Sequence, residues 1–376
     1  MNCFIDGDLS ISTNDNKKTI TLTINDKEKI VVNNVTFKPL NFKDTEILFG
    51  EDNRKRLIPL RIESCKISSL QLPESVAEKI GDIQKIELES SWSLRIIALT
   101  IGGWLPAGMT TSDSHYLLDK NIFNILNSRY KKGEIKKNIE HDFFDLISSN
   151  EIIINPSLFM LEGNSQSHER TKVDLANKYK EAVSIIKNSL TNPIIPHDCE
   201  KLTESTFGML SQLYKKNEEK ISFIQDIAPH IYKETAQKKR KEIINTFKKI
   251  AIQNNIDRKS ILFIAAISAA LSPSKSNPAK KIFKPKPAIE YTSQNAYNAL
   301  SDFRALDYLM WASAIDPKTK SYLCTNDKNL VRFWCAINPT NLKFIGNRLS
   351  FSLRFKDTLF CNLNEEEFQW IIDAIH

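Results

Sequence analysis

Ser321-Tyr322-Leu323-Cys324-Thr325-Asn326-Asp327, preceded by Ala305-Leu306-Asp307-Tyr308-Leu309-Met310-Trp311-Ala312-Ser313-Ala314, is the stretch that decides the fold class. An aspartate opens an apolar helix, and a short apolar strand follows that ends in Thr-Asn-Asp. Upstream, Tyr116-Leu117-Leu118-Asp119-Lys120-Asn121 repeats the strand-then-aspartate arrangement. Between them, Pro156-Ser157-Leu158-Phe159-Met160-Leu161-Glu162 puts a glutamate on an apolar segment. Acids at the carboxyl ends of buried strands are costly unless something offsets their charge, and a divalent cation is the usual answer. The expected site is therefore a four-carboxylate metal site of Asp119, Glu162, Asp307 and Asp327.

The neighbours of these acids suit that role. Asn121 can hold Asp119 through its side chain while capping the following helix. Thr325 and Asn326 can each donate a hydrogen bond to a nearby carboxylate. Asp307, read as the start of a helix, would be stabilised by the helix dipole, and Asp302 competes with it. Each acid also has a plain structural reading. Asp119 can simply cap a helix, and Glu162 can be an exposed helix-end charge. The segment at Asp327 is the most specific, because open α/β sheets place ligands where such strands end.

Around this core the chain divides by pattern. Residues 1–105 read as a β-rich domain. Thr19 to Ile24 alternates polar and apolar, Lys29 to Val32 and Val35 to Phe37 do so less strictly, and Asn25-Asp26-Lys27 is a hairpin turn signal. Leu57 to Ile62 and Ile86 to Leu88 add strands, and Leu72 to Ile80 reads as a short helix behind Pro73. Gly102-Gly103-Trp104-Leu105-Pro106-Ala107-Gly108 is the clearest punctuation, so a boundary is expected there. Strands then alternate with helices through 106–376, which favours a parallel sheet with crossover helices. A helical insert spans about 170–290, with helices expected at Lys172–Leu190, Glu200–Lys215, Glu218–Ile227, Ile231–Gln253 and Arg258–Leu271. Ser272 to Pro287 reads as a Pro/Lys/Ser loop.

Composition sets bounds. The 376 residues and net charge of +7 describe a globular chain with a mild preference for acidic partners, of which nucleic acid is the common one. The six cysteines form no CxxC pair, so free thiols in a reducing cytoplasm are expected. The opening residues lack a secretory pattern, and Ile261 to Leu271 is too short to span a bilayer. A cytoplasmic protein without membrane contact is the expectation. The chain has no GxSxG elbow, phosphate-binding GxxxxGK[ST] loop or GxGxxG fingerprint. Lys120, Arg304, Lys328 and Arg332 could bind phosphate near the acids. Lys238-Lys239-Arg240-Lys241 is a second basic patch. Tyr308, Trp311, Phe333 and Trp334 interleave with the first, although Trp311 and Trp334 at helical spacing read as core.

The order Asp, Glu, Asp, Asp in these contexts resembles the PIN-domain nuclease family. Leu117 to Phe123 looks like its first motif, Asn155 to Glu162 like its Glu-bearing segment, Asp307 to Ala314 like its third motif and Leu323 to Asp327 like its fourth. The resemblance covers roughly residues 113 to 345. Lys120 stands where the family usually has a small hydroxyl residue, and the interval from Glu162 to Asp307 is longer than in compact members. The resemblance implies an α/β, PIN-like fold and Mg²⁺- or Mn²⁺-dependent phosphodiester cleavage, usually of RNA, with DNA as the other substrate. A toxin or antiviral effector held in check by a regulatory protein partner is the implied setting. Two rivals remain: a non-catalytic scaffold that keeps the fold but not the metal, and a helical nucleic-acid-binding regulator built on residues 200–290.

Overall fold

The computed structural model describes residues 7–14, 17–24, 28–50, 55–69, 85–111, 114–162, 171–271, 277–346 and 348–376. The expected helix at 72–80, the turn at 25–27 and residues 272–276 of the expected loop lie outside the described residues. Contacts divide the chain into two compact units: residues 1–158, 180–198 and 316–326 form one, and 159–179, 199–315 and 327–376 the other.

The first unit contains two sheets. β1 (Gly7–Asn14), β2 (Lys17–Ile24), β3 (Glu28–Lys38), β4 (Arg56–Ser69) and β5 (Lys85–Ser90) form a five-stranded antiparallel sheet in sequential order. This accords with the period-two reading of that region. β6 (Ile97–Thr100) and β7 (Gly103–Pro106) do not join it. They pair with each other and through β6 with the second sheet, whose six strands run in the order β12-β11-β8-β13-β6-β7. Here β8 is His115–Leu118, β11 is Glu151–Asn155, β12 is Asn192–Ile194 and β13 is Ser321–Thr325, while β9 (Tyr130–Lys131) and β10 (Glu134–Ile135) form a small separate hairpin. β12, β11, β8 and β13 are mutually parallel; β6 and β7 are antiparallel. The fold is thus mixed α/β with a mostly parallel sheet.

The boundary expected at residue 105 falls inside the β6–β7 hairpin. The glycines there make a hairpin turn inside one unit. Gly102 has φ 90° and Gly103 φ 148°, and a Cβ on Gly103 would come within 1.9 Å of the Leu40 carbonyl oxygen. That close approach lets Leu40 and Trp104 exchange backbone hydrogen bonds of 2.8 and 3.0 Å.

α1 (Lys120–Arg129) follows β8, and α2 (Ser157–Glu162) and α3 (Lys172–Ser189) follow β11. The second unit is largely helical. α4 (Cys199–Tyr232) is one 34-residue helix where two were expected, because Lys215-Lys216-Asn217-Glu218-Glu219 contains good helix formers and neither Pro nor Gly. The expected helix from Ile231 to Gln253 is instead broken. Tyr232 ends α4 just past Pro229, a short turn covers Gln237–Lys239, and α5 runs Arg240–Gln253. α6 (Ile261–Leu271) is buried along its whole length. The expected loop beyond it contains α7 (Pro278–Phe283): Asn277 caps it by accepting from the Lys280 N–H at 2.9 Å, and Pro278 suits the first turn. α8 (Ser293–Ile315), α9 (Lys328–Ile337), the hairpin β14 (Thr340–Ile345) and β15 (Arg348–Ser352), α10 (Lys356–Leu359) and α11 (Glu365–Ile375) complete it. Among the described residues no helix is long and apolar enough to cross a membrane. Cys199, Cys324, Cys335 and Cys361 are free thiols, the middle two buried.

Candidate functional site

The site follows from strand order. After β8 the chain moves outward to β11 and then β12, and only later returns to the other side of β8 as β13. The order therefore reverses between β8 and β13, and the carboxyl ends flanking such a reversal are where open α/β sheets bind ligands. Leu118 pairs with Cys324, so the next residues, Asp119 and Thr325, stand side by side at that edge.

Asp119 is 9% exposed. Its backbone N–H donates to the Cys324 carbonyl at 3.0 Å. Its carboxylate accepts from the fully buried Thr325 hydroxyl at 2.9 Å, as the sequence suggested. The Asn121 side chain does not hold Asp119; the roles run the other way. Asp119 is the N-cap of α1 and accepts from the Asn121 backbone N–H at 3.4 Å. The capping reading of Asp119 is thus realised, and the residue stands at the carboxyl edge of the sheet. Lys120, the first residue of α1, is half-exposed.

The neighbouring strand contributes residues not singled out in the sequence. Asn155 ends β11 beside β8, and its side-chain Oδ1 accepts from the Ser157 N–H at 2.9 Å and the Ser157 hydroxyl at 2.6 Å. The signal was available: an apolar strand broken by Asn-Pro-Ser at the same edge. Asn326, which follows β13, is exposed.

The remaining acids belong to the second unit. Asp327 is the N-cap of α9, accepting from the N–H groups of Asn329 at 2.8 Å and Leu330 at 3.1 Å. Lys328 and Arg332 are half-exposed on the same helix. Glu162 ends α2, and its side chain lies outside the described residues. Asp307 does not open a helix. It lies within the 23-residue α8, so the helix-dipole argument for it fails. Its carboxylate pairs instead with Lys220 Nζ at 3.7 Å. Loss of hydration raises the Asp307 carboxyl above the ordinary aspartate value, against Lys220 and Arg304, which lower it. The side chain is still 45% exposed, so that desolvation is only partial. Asp302 sits about 140° away around the helix and does not share the Asp307 face. Arg304 donates to Ser301 Oγ at 2.9 Å and lies 5.0 Å from the Tyr297 ring centre. Trp334 is core, as expected, but Trp311 is 40% exposed.

Among the described residues no three His, Cys, Asp or Glu are grouped as metal ligands. The donor chemistry, carboxylates with amide and hydroxyl oxygens, suits a hard cation. Comparison with protein-family models, with curated proteins and with solved structures finds no match at all.

Proposed function

We propose that the protein is a Mg²⁺- or Mn²⁺-dependent endonuclease acting on RNA, built on a PIN-like fold, with Asp119 as its anchoring ligand. The observation that supports this most is the Asp119–Thr325 pair: a buried carboxylate at the carboxyl edge of two parallel strands, where the strand order reverses. Glu162, Asp307 and Asp327 are the proposed co-ligands, and Lys120, Lys328 and Arg332 the proposed phosphate contacts.

The helix caps explain why a cation belongs in this reading. A phosphodiester nearing the N-terminus of α1 or α9 meets a capping carboxylate, Asp119 or Asp327, rather than bare N–H groups. Like charges repel there unless a cation lies between them. When bound, a divalent cation neutralises the scissile phosphate and acidifies a water. Thr325 orients Asp119, and Asn155, held by Ser157, shapes the adjoining edge.

A second reading is favoured by the same side chains. Asp327 is committed to capping and Asp307 to Lys220. A non-catalytic scaffold would need nothing more of them.

The test is cleavage of single-stranded RNA, transfer RNA and single-stranded DNA with Mg²⁺, Mn²⁺ or chelator. The expected result is cleavage of RNA that stops with chelator and falls below detection in Asp119→Asn, whose fold persists. Chelator-insensitive cleavage sinks the mechanism. No cleavage, together with no rise in melting temperature on adding Mn²⁺, selects the scaffold.

A further inference from the structure

The positive charge of the chain is concentrated. Residues 199–315 carry 19 Lys or Arg against 11 Asp or Glu, an excess larger than the +7 of the entire chain. It is densest from Lys238 to Lys249, where six cations meet one acid, Glu242. A merely solvated face usually mixes both signs.

The structure separates the cations that are used from those that are not. Arg240 is used: Nη1 donates to both carboxylate oxygens of buried Glu367, at 2.8 and 2.9 Å, tying α5 to α11. The lysines around it point outward. Lys238, Lys239, Lys241 and Lys249 are exposed and Lys248 half-exposed, while Ile244, Phe247, Ile250 and Ala251 turn to the core. Among the described residues Lys238, Lys239, Lys248 and Lys249 have no ion-pair partner. Lys241 and Lys248 lie seven residues apart, on one stripe of the helix and about 10 Å apart along its axis. Lys241 Nζ sits 5.2 Å from the ring centre of half-buried Trp370, so a cation and an aromatic face occur together.

We propose that this face of α5, with Trp370 of α11, is a docking surface for single-stranded nucleic acid. The lysines match a chain of phosphates, and Trp370 offers a face on which a base stacks once Lys241 turns to a phosphate. Such pairing of cations with aromatic faces is how single strands are held without sequence readout. An acidic peptide would use the lysines but gain nothing from the ring. The inference stands whether or not the protein cleaves what it binds.

The test is fluorescence anisotropy with labelled RNA and DNA single strands of about 20 nucleotides, in chelator so that no cleavage occurs, across a salt series. The variant replaces Lys238, Lys239, Lys241 and Lys248 with Gln together; a charge-matched control replaces Lys131, Lys137, Lys180 and Lys318 with Gln. The expected result is affinity weakened by about tenfold or more and a salt slope reduced by about 3 in the first variant only. Trp370→Leu should weaken binding by about fivefold or more with the slope unchanged. Equal losses in the control, unchanged affinity in Trp370→Leu, or polyglutamate or anionic phosphatidylserine vesicles bound as tightly as the strands, would each overturn the proposal.

Discussion

The Thr325 hydroxyl donates to the Asp119 carboxylate at 2.9 Å, joining the ends of two parallel strands that are 206 residues apart in the chain. Both groups are buried, so neither can replace the other with water at no cost. Thr325→Val keeps the shape and deletes the donor. Hydrogen bonds to charged groups contribute about 1.5–3 kcal/mol, and urea unfolding at neutral pH should show a loss of that order. Thr325→Ser should restore most of it. Wild-type stability in Thr325→Val would mean that the bond contributes nothing.

A second buried pair lies at the far end of α1. Arg129 Nε and Nη2 donate to the two Asp145 oxygens at 2.9 and 2.6 Å, and the Tyr130 hydroxyl donates at 2.6 Å. Burial alone would raise the Asp145 carboxyl, but the bonds from Arg129 and Tyr130 outweigh it and hold it below the ordinary value. A carboxyl lowered by folding contributes stability that is full above its unfolded value, about 3.9, and is lost as pH falls through the lower folded value. Asp145→Asn leaves Arg129 charged, buried and unmatched. A cost of about 3–5 kcal/mol is expected at neutral pH. The gap from wild type should stay flat down to about pH 5 and close below about pH 4. A gap that persists undiminished into strong acid would remove Asp145 as the titrating partner.

The sequence revealed what depends on short-range pattern. The apolar strands ending at Asp119 and Thr325 were legible because burial on both faces leaves no polar alternation. The hydroxyl donor role of Thr325 followed from its place at a strand end. The misses came from long-range context. Asp307 looked like a helix start because its upstream partners in α8, such as Ala296 and Leu300, are spread among polar residues. The Gly102-Gly103 pair looked like a domain boundary because only the approach of the Leu40 carbonyl shows why glycine is required. Lys220 as the Asp307 partner could not be read at all, since 87 residues separate the two.

That pair supplies the sharpest discrimination between the two functional readings. Lys220 Nζ lies 3.7 Å from the Asp307 carboxylate, where a metal ligand would have to exchange an ammonium for a metal cation. The side chains are 25% and 45% exposed, so the pair contributes no more than about 1 kcal/mol. Lys220→Gln removes the competitor. If Asp307 is a ligand, Mn²⁺ affinity by titration calorimetry near pH 8 should rise by about twofold to fivefold. The same substitution also removes a group that lowers the Asp307 carboxyl, which desolvation already raises. Its proton affinity climbs, and protons compete with the metal. The gain should therefore shrink as pH falls toward about 5, while the wild-type affinity falls less steeply. Affinity unchanged by Lys220→Gln at every pH would exclude Asp307 from the ligand set, and an absence of Mn²⁺ binding in both proteins would leave the scaffold as the function of this fold.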